Sequence, residues 1–177
     1  MALNLVNLDE RTRSIMLEEI ESDISSSKLY ISPRLNSRGL QEYPRLLKES
    51  ATNHDDAWLA ERLRRDGLMK TQEERRKPKG GYTIAQVPVT APDTLAEGEF
   101  NRFYIRGLCL RAIQDGIPEL VVYRAKQVSS PRRESEAKIG AMIPPQSLLQ
   151  DVRTHPGVDT ALGLPPCPNS GLSVRLP

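Results

Sequence analysis

Apolar side chains recur at helical spacing in the first part of the chain. One face, with a residue every four positions, holds Thr12, Met16, Ile20 and Ile24, and Asp9 precedes it as a cap. The remaining positions are mostly Glu, Arg and Ser. The pattern therefore predicts an amphipathic helix that lies on a core.

Two more helices are predicted before residue 67. Residues 40–51 and 54–66 each place leucine and aromatic side chains on one face, Asn53 is a favourable cap for the second helix, and Gly67 ends it. We interpret the pair as a packed helical hairpin. A DNA-reading helix–turn–helix would need polar side chains along one face of its second helix, which this segment lacks. Residues 1–67 thus form a predicted N-terminal helical part.

A charged connector follows over residues 68–81. Its sequence from residue 70, KTQEERRKPKGG, contains Pro78 and ends in two glycines. No apolar positions recur in it at the spacing of a helix or a strand. We therefore expect a mobile loop here.

Three segments of the remaining chain have the composition or alternation of strands. They are residues 82–90, 119–128 and 172–176. The first contains Pro88, which cannot donate a backbone hydrogen bond, so it is predicted to be an edge or bulged strand.

A long apolar helix is predicted over residues 94–115, between the first two strands. Thr94 and Glu97 have the spacing of a capping box at its start. A strand, a helix and a strand within this length fit a crossover with parallel strands, and an antiparallel arrangement with the helix across one face stays open. The fold prediction is a single α+β domain over residues 1–177, with a small mixed sheet in residues 82–177.

The composition bears on whether the chain is a polyanion-binding, membrane-spanning or disulfide-bonded protein. Charged residues make up 27% of the 177 positions and the net charge is only +2, so only local clusters of charge can indicate a polyanionic partner. The chain contains no apolar run long enough to cross a bilayer, and it does not begin with a basic segment followed by an apolar one. Two cysteines make no disulfide framework. We expect a cytoplasmic protein without a membrane partner.

The long helix carries arginines among its apolar residues, in the stretch EGEFNRFYIRGLCLRAI. Glu99, Arg102 and Arg106 share one stripe because they are spaced by three and four residues. A buried, unpaired guanidinium costs several kcal/mol, and one carboxylate cannot serve two of them. Either Arg106 reaches solvent or an internal carboxylate such as Glu119 or Asp151, or Arg102 and Arg106 together hold an external anion.

Further cations cluster outside this helix. Arg124 and Lys126 are two positions apart on a predicted strand and so share a face. The full set of candidate anion-binding or partner-binding residues is Arg102, Arg106, Arg75, Arg76, Lys77, Lys79, Arg124, Lys126, Arg132 and Arg133. They favour a non-enzymatic binding or assembly protein whose basic surface contacts nucleic acid or an acidic protein. We expect such a subunit to form oligomers, and the sequence does not identify its oligomeric state.

The alternative hypothesis is a small metal-dependent hydrolase or nuclease. Pro92-Asp93 and Glu136-Ala-Lys138 resemble a nuclease pattern of two carboxylates and a lysine, and Glu97 and Glu99 lie nearby in sequence. Asp93 at a helix start is equally explained by capping. The two histidines lack a partner at metal-ligand spacing. We therefore predict no metal and no cofactor, and the sequence identifies no catalytic residue.

Overall fold

The structure is a computed structural model that describes residues 2–156, 162 and 170–177. Its helices are α1 (Glu10–Ser25), α2 (Ser37–Asn53), α3 (Asp56–Arg65), α4 (Ala91–Gln114), α5 (Arg133–Glu136) and α6 (Pro145–Thr154). Its strands are β1 (Gln72–Arg76), β2 (Tyr82–Gln86), β3 (Leu120–Arg124), β4 (Met142–Ile143) and β5 (Leu172–Arg175). Together they form a small α+β fold, which confirms the predicted fold class.

Helix α4 is the centre of the core. It packs against α1, α3, α6 and β5, as expected for a helix that is apolar on two sides. Gly107 allows α1 to approach closely, because a Cβ at this position would lie 2.9 Å from the Met16 Cγ and 3.2 Å from the Thr12 carbonyl oxygen. Among the described residues, no helix has the length and apolar content of a membrane span.

The start of α4 differs from the prediction. The helix begins at Ala91 and has Thr90 as its cap, with Pro92 in the first turn, where its missing N–H costs nothing. The Thr94 hydroxyl donates to the Thr90 carbonyl within this first turn. The capping box predicted at Thr94 is therefore wrong, since three more residues extend the helix before it. At the start of α1, by contrast, Asp9 accepts the Thr12 amide as predicted.

The strands form two small antiparallel sheets instead of one mixed sheet. One sheet has the order β4–β3–β5, and its β3–β5 pair aligns Val122 with Val174. The C-terminal strand predicted from alternating apolar residues is thus confirmed as β5. The crossover with parallel strands is wrong, because β2 and β3 lie in different sheets.

The partner of β2 is β1, in the segment where a loop is predicted. The two strands form a hairpin, and its turn over Lys77–Gly80 closes with the Gly80 amide on the Lys77 carbonyl. Gly80 and Gly81 both have positive φ, which glycine adopts without strain. The segment looks like a loop in sequence because β1 has no apolar face. It forms a strand because the glycine turn brings it back onto β2.

Candidate functional site

Arg106 on α4 is surrounded by carboxylates of helix α1. Its Nε donates to Glu19 at 2.6 Å, and its two terminal nitrogens donate to the Asp23 carboxylate at 2.6 and 2.9 Å. Arg153 on α6 contacts the same Glu19 at 2.5 Å. Arg106, Glu19 and Asp23 are buried, whereas Arg153 reaches this cluster from the exposed side of α6, so the ion-pair network joins three helices.

Arg102 is paired within α4 itself. Its Nη2 and Nε donate to the Glu99 carboxylate at 2.5 and 3.2 Å, and both side chains are buried. The Phe103 ring lies beside the guanidinium groups of Arg102 and Arg106, at 4.8 and 4.7 Å from its centroid. The aromatic face adds a cation–π contact to each ion pair.

These contacts correct one premise of the sequence interpretation. The chain does supply enough negative charge for both arginines, and the missing carboxylates are Glu19 and Asp23, not Glu119 or Asp151. Burial alone raises the pKa of Glu19, but Arg153 and Arg106 outweigh it and hold that pKa below its ordinary value. We leave Arg102 and Arg106 out of the proposed site, because their donors already have internal acceptors.

The cations of the β1–β2 hairpin are in a different situation. Arg75 contacts Glu73 at 2.7 Å, and Glu73 also accepts from Arg34 at 2.6 Å, which fastens the base of the hairpin to the body. Beyond that base lie Arg76, Lys77 and Lys79, which are exposed. Among the described residues, none of these three side chains has a carboxylate partner, so all three are available to an external anion.

The same hairpin exposes apolar side chains. In its register Arg76 is paired with Tyr82, and Glu74 with Ile84. Tyr82 is 68% exposed and Ile84 60%, because the body of the protein covers neither of them. Sequence reasoning did not single out this pair. The alternation of Tyr82, Ile84 and Gln86 within β2 is the one signal that places them together on a face.

The remaining predicted cations lie elsewhere. Arg124 ends β3 and donates to the Ser170 carbonyl at 3.1 Å, while Lys126 lies beyond the strand and pairs with Glu97. The prediction that these two residues share a strand face is therefore wrong, since β3 ends at Arg124. Arg132 and Arg133 lie at the start of α5. Within the described ranges neither has a carboxylate partner, and their role as an anion site stays a prediction.

The carboxylates of the alternative metal site are divided among different cations. Asp93, Glu97 and Glu99 pair respectively with Arg64 at 2.6 Å, with Lys126, and with Arg102 at 2.5 Å. Glu136 lies in α5, and Lys138 follows that helix. Within the part of the chain that the structure describes, no three His, Cys, Asp or Glu side chains form a group that could hold a metal ion.

Comparison of the chain with protein-family models, with curated proteins and with solved structures finds no match. Any functional conclusion therefore depends on the residues of this chain. The feature best suited to bind a partner is the β1–β2 hairpin, where three exposed cations lie close in sequence to an exposed aromatic ring and have no carboxylate partner among the residues that the structure describes. The cations of such a surface can bind the phosphate groups of a ligand, while the aromatic ring packs against an apolar or aromatic group of the same ligand.

Proposed function

We propose that this chain is a non-catalytic nucleic-acid-binding protein whose β1–β2 hairpin contacts the phosphate backbone. The observation that supports this function is the cluster of Arg76, Lys77 and Lys79 at the end of the hairpin. All three are exposed, and none has a carboxylate partner in the part of the chain that the structure describes. Phosphate contacts of this kind supply most of the sequence-independent affinity for nucleic acid.

The distribution of charge supports the same partner. Residues 70–81 contain five cationic and two acidic side chains, an excess of three positive charges, while the whole chain has a net charge of +2. The other residues therefore carry a net charge of −1. A polyanion is attracted to the hairpin and not to the surface as a whole.

The shape of the hairpin suits this role as well. A two-stranded ribbon is narrow enough to enter the major groove of a duplex or to lie along a single strand. Its base is held by the Arg34–Glu73 pair and by Lys70, whose Nζ donates to the Pro33 carbonyl at 2.7 Å. The cationic end is thereby presented on an anchored element, which lowers the entropy lost on binding.

Binding to labelled DNA, measured by fluorescence anisotropy in a salt series, tests the proposal. The intact chain is compared with the triple variant Arg76→Ala/Lys77→Ala/Lys79→Ala. A matched control, Arg38→Ala/Arg45→Ala/Arg65→Ala, removes three exposed cations from helices α2 and α3.

We expect binding by the intact chain and by the helix control. The hairpin variant should bind far more weakly, with a slope of log K against log salt that is smaller in magnitude by about two to three. Equal loss in both triple variants, or no binding by the intact chain at about 50 mM salt, would contradict the proposal. Binding to an acidic protein or to polyglutamate without binding to DNA would instead favour the acidic-protein partner.

A further inference from the structure

We infer that the nucleic acid bound by the hairpin is single-stranded, and that the Tyr82 ring stacks on one of its bases. The inference depends on the proposed function, because it identifies which nucleic acid the same hairpin binds. It draws on three observations in the described residues: the register of the hairpin, the exposure of Tyr82 and the position of the unpaired cations.

The register places an aromatic ring beside an unpaired guanidinium. Arg76 on β1 and Tyr82 on β2 are direct partners in the antiparallel ladder. Directly opposite residues project from the same face of a sheet, with Cβ atoms about 5 Å apart. A nucleotide that lies over this face can therefore meet the Tyr82 ring with its base and Arg76 with its phosphate.

Tyr82 is the most exposed of the tyrosines. At 68% it is well above Tyr30 at 39%, while Tyr43 and Tyr104 are fully buried in the core. Ile84, two positions further along the same face, is 60% exposed. Together they leave two neighbouring apolar side chains in contact with water on a hairpin that is otherwise polar, and grouped exposed apolar side chains are found on surfaces that bind a partner.

Two further exposed cations lie next to this pair in the sequence of the hairpin. Lys77 and Lys79 belong to the turn that directly follows Arg76, the β1 partner of Tyr82. Single-strand binding surfaces combine a positively charged path for the backbone with aromatic rings on which bases stack. Charge complementarity thus favours a nucleic acid over this face, and the aromatic ring favours one whose bases are not already stacked in a duplex.

The test compares labelled single-stranded oligothymidylate with a DNA duplex of the same length, using anisotropy and the intact chain. The main variant is Tyr82→Thr, which removes the ring and keeps a residue that favours strands. Tyr82→Phe keeps the ring. The matched control is Thr83→Ala, an exposed position in the same strand on the opposite face.

Tyr82→Thr should weaken single-strand binding by about 5- to 150-fold, the change that corresponds to ~1–3 kcal/mol of stacking on one base. Its duplex affinity should change by less than about twofold, and Tyr82→Phe and Thr83→Ala should bind like the intact chain. An unchanged thermal midpoint in each variant shows that the fold is retained.

Two results would overturn this inference and leave the proposed function intact: equal weakening of single-strand and duplex binding by Tyr82→Thr, or no weakening of either. In both cases the hairpin triple variant would still bind far more weakly than the intact chain. If light scattering instead shows a dimer that Tyr82→Thr dissociates, a second copy of the chain covers this face and the inference is wrong. Failure of the triple variant to weaken binding would count against the proposed function itself.

Discussion

Arg106 and Glu19 lie 87 positions apart in the sequence, yet the arginine Nε donates to the glutamate at 2.6 Å inside the protein. Asp23 accepts from the other end of the same guanidinium, and Arg153 contacts the other Glu19 oxygen. Arg106, in the most apolar helix, thus connects α1, α4 and α6 through ion pairs. These ion pairs fix the positions of the three helices relative to one another.

Replacing Arg106 by Ala should destabilise the protein strongly. The change leaves Asp23 buried without its cation, and loss of one partner of a buried pair costs about 3–5 kcal/mol. The free energy of unfolding in urea measures this. As a control, Arg45→Ala removes an exposed cation paired with Glu42 and should have little effect on the free energy of unfolding, because solvent screens exposed ion pairs. Similar costs for the two variants would show that the buried network contributes little.

The network should also make stability depend on pH on the acid side. The folded-state pKa of Glu19 lies below its ordinary value of 4.5, because the contacts with Arg153 and Arg106 outweigh the effect of burial. The unfolded chain therefore binds the proton more tightly, and the stabilisation by Glu19 is present above that value and lost as the pH falls through the folded pKa. Glu19→Gln should be less stable than the intact chain at pH 7.

The difference between Glu19→Gln and the intact chain should shrink at about pH 3. Urea unfolding at both pH values measures it. Glu99→Gln provides a comparison, because the pKa of Glu99 is shifted in the opposite direction to that of Glu19. Burial raises the pKa of Glu99 despite the contact with Arg102. The stabilisation by Glu99 is present below the ordinary value and lost as the pH rises through its folded pKa. A Glu19→Gln difference that stays constant between the two pH values would contradict the assignment.

Local pattern explains why much of the fold is predictable from sequence. The apolar positions of α4 identify a central helix, and the alternation of Leu172, Val174 and Leu176 identifies β5. The counter-ions of Arg106 were not predictable in this way. Glu19 and Asp23 lie on a face of α1 that reads as polar surface, and only the packing of α1 on α4 turns that face inward.

The structure of the hairpin, which carries the candidate site, was also not predictable from the local sequence pattern. A strand with the sequence QEERR has no apolar face, so its pattern indicates a loop, and its conformation comes from pairing with β2. The basic residues of the site were predicted from composition. The pairing of Arg76 with Tyr82 across the hairpin was not predictable, because it depends on a register that the turn at Gly80 sets.

Gly107→Ala should destabilise the contact between α1 and α4. The added Cβ would lie 2.9 Å from the Met16 Cγ, and overpacking of this kind costs about 1–3 kcal/mol, more than the gain of up to about 1 kcal/mol in helix propensity. Thermal or urea unfolding gives the cost. In a Met16→Ala background the same change should cost less, because the side chain that it meets is gone. Additive costs in the double variant would show that the two residues do not collide.

Glu73→Gln tests whether an internal carboxylate limits the anion-binding capacity of the hairpin. Glu73 neutralises Arg75 at 2.7 Å and Arg34 at 2.6 Å, and these two contacts hold its pKa below the ordinary value, so it is charged near neutral pH. Removal of this charge frees Arg75 beside the unpaired Arg76. We expect tighter binding to single-stranded DNA, with a salt slope larger in magnitude by about 0.7 for one added phosphate contact.

Glu61→Gln is the matched control for this change. It removes an exposed carboxylate that pairs with Arg64 on helix α3, outside the hairpin. Its DNA affinity should rise only slightly through the change in net charge, and its salt slope should stay that of the intact chain. If Glu73→Gln weakens DNA binding while the thermal midpoint is unchanged, Glu73 acts mainly by fixing the position of the hairpin, and the anchored geometry matters more for binding than one additional cation does.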